Sequence, residues 1–178
     1  MPARYRTNNI PQISQRGIFF DANILIYLFW PTKAQWERKY SSIYGVLVRS
    51  NAQMYVDFIV LSEVINRAIR FEYKNYLKAH NLNSDSFIFK QYRNSLDGQQ
   101  SISDVYDIVK TDILGHFNIA GKYFQEVDIT QLLSDTEIDL NDKAIELICQ
   151  ENNFILLTND GDFRNSSLDI LSENTNLT

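Results

Sequence analysis

An α/β fold built on a mainly parallel sheet is the architecture this sequence predicts. Two features carry the prediction. Short apolar runs, Gly17-Ile-Phe-Phe20, Met54-Tyr-Val56 and Phe154-Ile-Leu-Leu157, read as buried strands rather than as the alternating pattern of a sheet with one wet face. Between them lie stretches with helical periodicity, and strands alternating with helices give parallel sheets.

In chain order, residues 1–16 are polar and irregular and are expected to form a flexible N-terminal arm. A single domain is expected over 17–178, because no Pro- or Gly-rich linker or repeat divides 178 residues that carry enough apolar content for one core. The first strand ends at Asp21, and Asn23 is the expected cap of a helix that runs to Trp30, where Pro31 interrupts it. Thr32 opens a second helix to about Ser50. After Met54–Val56, a long helix is expected from about Val60 to Ala79, with Leu61, Val64, Ile65 and Ala68 as its core stripe. Helices near Asp85–Asn94 and Ser103–Phe117 fill a helical middle region of about 71–120. A strand is expected at Tyr123–Val127, and then a helix capped by Asn141 that buries Ala144, Ile145, Ile148 and Cys149. The strand Phe154–Leu157 ends at Thr158-Asn-Asp160, and Leu168–Leu171 is expected to add an edge strand. The aromatics Tyr73, Tyr76, Phe87, Phe89 and Tyr92 have helical spacing and read as packing residues in preference to base-stacking ones.

Composition excludes several classes. Cys149 is the only cysteine, which rules out an internal disulfide or a cysteine metal cluster. His80 and His116 have no ligand neighbours at useful spacing, and there is no Gly-rich phosphate loop or Gly-x-Ser-x-Gly elbow. Asp21 and Asn23 break the longest apolar run, and the N-terminus has no long apolar segment, so a cytoplasmic protein with no membrane span is expected. The net charge of −5 is unevenly spread. Residues 33–93 carry ten basic and five acidic side chains, whereas residues 94–178 carry four and sixteen. A basic middle can hold phosphates while an acidic C-terminal half collects cations, although solvated helix faces give the same statistics.

Four acids stand at chemically suggestive places. Asp21 and Asp160 each follow a strand, and ligands of open α/β sheets bind beyond the carboxyl ends of strands. Glu63 lies near the start of the long helix, with Asn66, Arg67 and Arg70 on its face, and Asp142 lies in the first turn of a helix. Singly, each has a plainer role: helix cap, Asx turn, i,i+4 ion pair or helix-dipole partner. An aspartate after the first strand also fits a haloacid-dehalogenase-like phosphatase, but that chemistry needs a second aspartate where Asn23 stands.

As an ordered set the segments resemble the PIN-domain nucleases, which include toxin ribonucleases of VapC type. The matching segments are Phe19-Phe-Asp-Ala-Asn-Ile-Leu-Ile-Tyr27, Val60-Leu-Ser-Glu-Val-Ile-Asn-Arg67, Asn141-Asp-Lys-Ala-Ile-Glu-Leu-Ile-Cys149 and Ile155-Leu-Leu-Thr-Asn-Asp-Gly-Asp-Phe163. Asp142 precedes Thr158 by 16 positions, the family spacing, so Asp142 is the match and Asp139 is not. The likeness covers residues 17–67 and 138–163, while 71–135 find no counterpart. It implies a three-layer α/β/α sandwich around a mainly parallel sheet of about five strands. It also implies Asp21, Glu63, Asp142 and Asp160 as catalytic acids holding Mg²⁺ or Mn²⁺. Asn23 and Thr158 would assist them, and the final turn, one residue shorter than the commoner pattern, leaves the part of Asp162 open. An all-oxygen set suits those ions. The implied activity is endoribonucleolytic hydrolysis leaving a 5′-phosphate and a 3′-hydroxyl. Separately from the resemblance, Arg67, Arg70 and Lys74 are expected to position the RNA, because they share the helix face of Glu63. An antitoxin partner and a homodimer are the expected assemblies; a non-catalytic α/β interaction module or an RNA-processing subunit is the alternative.

Overall fold

The computed structural model describes residues 2–13, 15–31, 35–134 and 138–177. Six short strands form one sheet: β1 (Arg4–Tyr5), β2 (Ile18–Phe20), β3 (Met54–Val56), β4 (Asn118–Ile119), β5 (Ile155–Leu157) and β6 (Ile170–Leu171). Their order across the sheet is β1-β6-β5-β2-β3-β4, and every pairing is parallel. The expected parallel sheet of about five strands therefore has six, flanked by helices in an α/β/α sandwich. The central strands β2 and β5 are buried along their whole length, as continuous apolar runs require.

The order sets the position of the site. From β2 the chain builds outward through β3 to β4, then returns to place β5 on the other side of β2. The junction between β2 and β5 is thus a topological switch point, where the connections leave in opposite directions and open a crevice beyond the strands' carboxyl ends. Phe20 pairs with Leu157, so the next residues, Asp21 and Thr158, emerge side by side.

The helices are α1 (Ile10–Ile13), α2 (Ala22–Phe29), α3 (Gln35–Arg49), α4 (Phe58–Ala79), α5 (Phe89–Asn94), α6 (Leu96–Ile108), α7 (Glu126–Leu132) and α8 (Leu140–Asn152). The stripe expected on α4 faces inward, with Val64 and Ala68 buried and Leu61 and Ile65 packed against the core. On α8, Ala144, Ile145, Ile148 and Cys149 are all buried, as expected. The aromatic set packs on itself: Tyr73 lies 5.3 Å from Phe89 and 5.4 Å from Tyr92, and Tyr76 lies 5.6 Å from Phe87.

Several expectations need correction. Residues 1–16 are not a loose arm over their described part. The strand β1 pairs with β6, Arg4 donates to the Leu168 carbonyl at 2.7 Å, and Ile10 and Ile13 enter the core. For the same reason the strand expected at Leu168–Leu171 is interior, with β1 as the edge. Helix α2 begins one residue after Asp21, and Asn23 lies inside it with its side chain turned to the crevice instead of capping. Asp57, unmarked in the sequence reading, caps α4 by accepting from the Val60 amide at 2.8 Å, so that helix starts earlier. Asp139, not Asn141, caps α8, accepting from the Asp142 amide at 3.0 Å. Thr32, the expected start of α3, lies outside the described residues.

The middle region differs most. Helix α5 starts at Phe89 and α6 at Leu96, and α6 ends in a π-helical turn, Val109–Ile113. The strand expected at Tyr123–Val127 is absent: Gln125 and Asp128 begin helix α7 there, the Gln125 amide donating to Asp128 at 2.8 Å. The sheet is completed instead by the exposed, two-residue β4.

Candidate active site

At the switch point, the backbone of Asp21 is tied across the sheet by its amide, which donates to the Leu157 carbonyl at 3.1 Å. Its side chain makes no helix-capping bond. Instead, Oδ2 accepts from the Thr158 hydroxyl at 2.5 Å and from Asn23 Nδ2 at 2.6 Å. Thr158, fully buried, also accepts from the Asp160 amide at 2.9 Å, which sets the turn after β5. The auxiliary roles expected of Asn23 and Thr158 thus have a geometric basis: both hold the Asp21 carboxylate, and Asn23 Oδ1 further accepts from the Asn159 amide at 3.3 Å.

The sequence reading missed an outer ring of this network. Tyr40 OH bonds Asn159 Oδ1 at 2.9 Å, the Thr158 carbonyl at 3.2 Å and Ser172 at 3.1 Å. Asn159 Nδ2 donates to Tyr27 OH at 3.2 Å. These bonds join α2, α3, β5 and the segment after β6, and lock the turn that carries Asp160. Such contacts join residues more than a hundred positions apart, and no local motif announces them.

The other acids stand on separate elements, Asp160 on the turn after β5, Glu63 on α4 and Asp142 on α8. Asp160 caps the short 3₁₀ turn Gly161–Asn165 by accepting from the Asp162 amide at 3.1 Å, so exposed Asp162 supports Asp160 through its backbone. Glu63 sits on the second turn of α4, paired with Arg67 at 3.0 Å. Asp142 is half-buried in the first turn of α8. The charges of all four are felt together. Burial pushes the Asp21 carboxyl up to about 6 against the Thr158 hydrogen bond, with Glu63 and Asp160 adding repulsion. Burial, then Asp139, Asp21, Asp160 and Glu63, push Asp142 up to about 7. Among the described residues, no cation pairs with Asp21, Asp142 or Asp160.

That imbalance tests the fit of a divalent ion. Carboxylates crowded without a countercharge either take up protons or gather a cation, and an oxygen-only donor set matches Mg²⁺ or Mn²⁺. The chemistry fits. The side chains as they stand are not closed into a ligand set: among the described residues, no three His, Cys, Asp or Glu groups come together as one. Like charges without a countercharge repel one another, in keeping with that openness.

A cleft of about 520 Å³ lies along α4, walled by Glu63, Asn66, Arg67 and Arg70 on one side and by Asp139 and Asn141 at the start of α8; of the four acids, Glu63 lines it. Of the residues expected to hold RNA, Arg67 and Arg70 line this cleft, and Arg70 also lies over the Phe89 ring at 4.7 Å. Lys74 lines a second hollow of about 280 Å³ with Ile26 and Trp30, and Arg67 and Arg70 form the ridge between the two. His80 and His116 each bond a backbone carbonyl one turn back, at 2.9 Å. Asp57 follows β3 as Asp21 follows β2, but it is committed to capping α4, and burial raises its carboxyl pKa.

The sequence model of the PIN domain matches residues 18–167, which takes in all four acids and both strands of the switch point. The chain belongs to the PIN-domain family. PIN domains are generally nucleases, and those nucleases generally use divalent metal ions. No curated protein sequence matches the chain. Among solved structures, a chain of VapBC2 from Rickettsia felis, crystallised with a DNA fragment from its promoter, shares the fold at a TM-score of 0.53 and 18% identity, covering 88% of this PIN chain and 98% of its own. Among the described residues, no helix of this PIN protein is long and apolar enough to cross a membrane.

Proposed function

We propose that this PIN protein is a metal-dependent endoribonuclease in which Asp21, Glu63, Asp142 and Asp160 hold Mg²⁺ or Mn²⁺. What supports the reading is the PIN-family match together with the mutual repulsion that Glu63 and Asp160 exert on Asp21, and that Asp21, Asp160 and Glu63 exert on Asp142, around the switch point of the sheet. When bound, such ions polarise the phosphodiester and lower the pKa of an attacking water. The protein's own part is positioning. Thr158 and Asn23 orient Asp21, and the Asp162 amide orients Asp160. Arg67 is released for a phosphate once Glu63 turns to another partner, because an exposed ion pair of this kind holds by no more than about 1 kcal/mol. Arg70 lies one turn further on, and Lys74 another.

The likeness to a VapBC2 chain supports a toxin role with an antitoxin as partner; a cytoplasmic location and a homodimer belong to the same proposal. One observation favours the alternative of a PIN-like interaction module: the acids do not stand in ligand geometry. The two readings separate in a cleavage assay. With Mn²⁺ and single-stranded or structured RNA, the full chain is expected to yield 5′-phosphate ends. Asp21→Asn and Asp142→Asn are each expected to lower the rate by about a hundredfold or more. Equal rates in all three proteins would reject the nuclease reading.

A further inference from the structure

Phe58 is 80% exposed, yet its position is fixed. It is the first residue of α4, directly after Asp57, which is buried and bonded to the Val60 amide. Exposed apolar side chains are ordinary singly, and Leu96 and Tyr123 are more exposed than Phe58; what sets Phe58 apart is that its ring lines a polar cleft beside Glu63. Phe58 lines the same cleft as Glu63, which follows it about 7 Å along the helix axis. Arg67 and then Arg70 follow on the same wall. The wall therefore reads, in order, aromatic platform, carboxylate and guanidinium.

The rest of the lining is polar. Only Phe58 and Ile59 are apolar among the lining residues, which is too little for the apolar centre of a protein-docking groove. Asn66 stands two turns along from Phe58, and Asn141 faces it from α8; neither amide has a hydrogen-bond partner among the described residues. Free amides present both donors and acceptors, as reading a base edge requires, and a ring face takes any base. A volume of about 520 Å³ falls within the range that accommodates small organic ligands.

We propose that Phe58 is a stacking platform for an unpaired RNA base beside the scissile phosphate, with Asn66 and Asn141 presenting amides to base edges. The inference rests on the nuclease reading for the identity of the strand, and Phe58 acts by positioning the substrate. It makes this PIN protein a reader of single-stranded segments, because a base within a duplex has no free face to offer.

The test uses the full chain in the Asp142→Asn background, which leaves the RNA intact, and short single-stranded RNAs carrying 2-aminopurine. Phe58→Leu keeps an exposed apolar side chain and removes the ring; Phe58→Trp keeps a ring. The expected result is 2-aminopurine quenching with Phe58 and with Phe58→Trp, and its loss with Phe58→Leu, together with a rise in Kd of roughly tenfold or more. Quenching and Kd unchanged in Phe58→Leu would overturn the proposal, including where that variant has lost only its hold on a protein partner. Cleavage by the chain with Asp142 intact is measured in parallel. If Phe58 governs stacking while that protein cuts no RNA, the nuclease reading fails and the platform stands. If RNA is cut and stacking ignores Phe58, the platform alone falls.

Discussion

The acid crevice and the aromatic layer of the middle region sit on opposite stretches of one helix. Glu63 occupies the second turn of α4, and Tyr73 and Tyr76 its C-terminal half. They are built on opposite principles. In the crevice, burial and mutual repulsion raise the carboxyl pKa values of Asp21 and Asp142, and no cation among the described residues answers them. In the aromatic layer every ring is answered. Tyr92, 1% exposed, packs on Tyr73 and Tyr76 and donates to Ser101 at 2.8 Å, and the Tyr73 hydroxyl donates to the Phe87 carbonyl at 2.5 Å. The difference separates a layer whose groups are all paired, which maintains the fold, from a crevice whose carboxyls are left without a countercharge.

Tyr92→Ala should separate the two regions most sharply. It is expected to cost about 3–5 kcal/mol of stability, read by denaturant unfolding, while cleavage per folded molecule stays within a few-fold of the parent. A matching collapse of activity would show that the aromatic layer and the crevice are one unit.

Next in size is the effect of pH on the metal-free protein. Asp21 and Asp142 bind a proton more tightly when folded than when unfolded. Their contribution to stability is therefore full near and below about pH 4 and is lost as pH rises through about 6 and about 7. Asp169 and Glu173 act the other way. Although burial opposes it, Arg16 and Arg4 hold Asp169 below the usual range, as Thr7 and Arg6 hold Glu173, so stability from these two falls in stronger acid. Metal-free stability is expected to rise as pH falls from 8 toward 5. Asp21→Asn should add about 2 kcal/mol at pH 8, and Asp142→Asn, half-buried and screened, about 1 kcal/mol. Thermal unfolding with chelator at both pH values checks this; destabilisation by both substitutions at pH 8 would contradict it.

The smallest effect on the fold belongs to the ridge between the two regions. Arg67→Glu breaks an exposed pair and is expected to change stability by less than about 1 kcal/mol. Together with Arg70→Glu it should weaken RNA binding and flatten the dependence of affinity on salt. Unchanged binding would remove both residues from the RNA path.

Much of the crevice was legible because its residues sit where short motifs meet strong local rules. Asp21 and Asp160 follow apolar runs that had to be strands, and α4 and α8 carry regular core stripes. What escaped the sequence was decided by tertiary contact. The strand β1 is two residues, Arg4 and Tyr5, with no pattern of its own, and it forms because β6 offers it an edge. Tyr123 to Val127 has strand-like residues, but Asp128 accepts the Gln125 amide and helix α7 starts at Glu126, while Tyr123 is left 87% exposed. Tyr40 and Asn159 join the site through bonds across 119 positions of sequence. Asp139 and Asn141 flank Leu140, and which of them caps α8 depends on backbone angles that residue preferences rank almost equally.

The central claim is that distant acids share an ion, and calorimetric titration of the metal-free protein with Mn²⁺ near pH 6.5, in two buffers of different ionisation heat, tests it most directly. Saturable binding with net proton release is expected, because an arriving cation drives protons from the Asp21 and Asp142 carboxyls. Both signals should vanish in the Asp21→Asn, Asp142→Asn double variant. Binding and proton release that persist unchanged in that variant, or no binding by the parent protein, would contradict it.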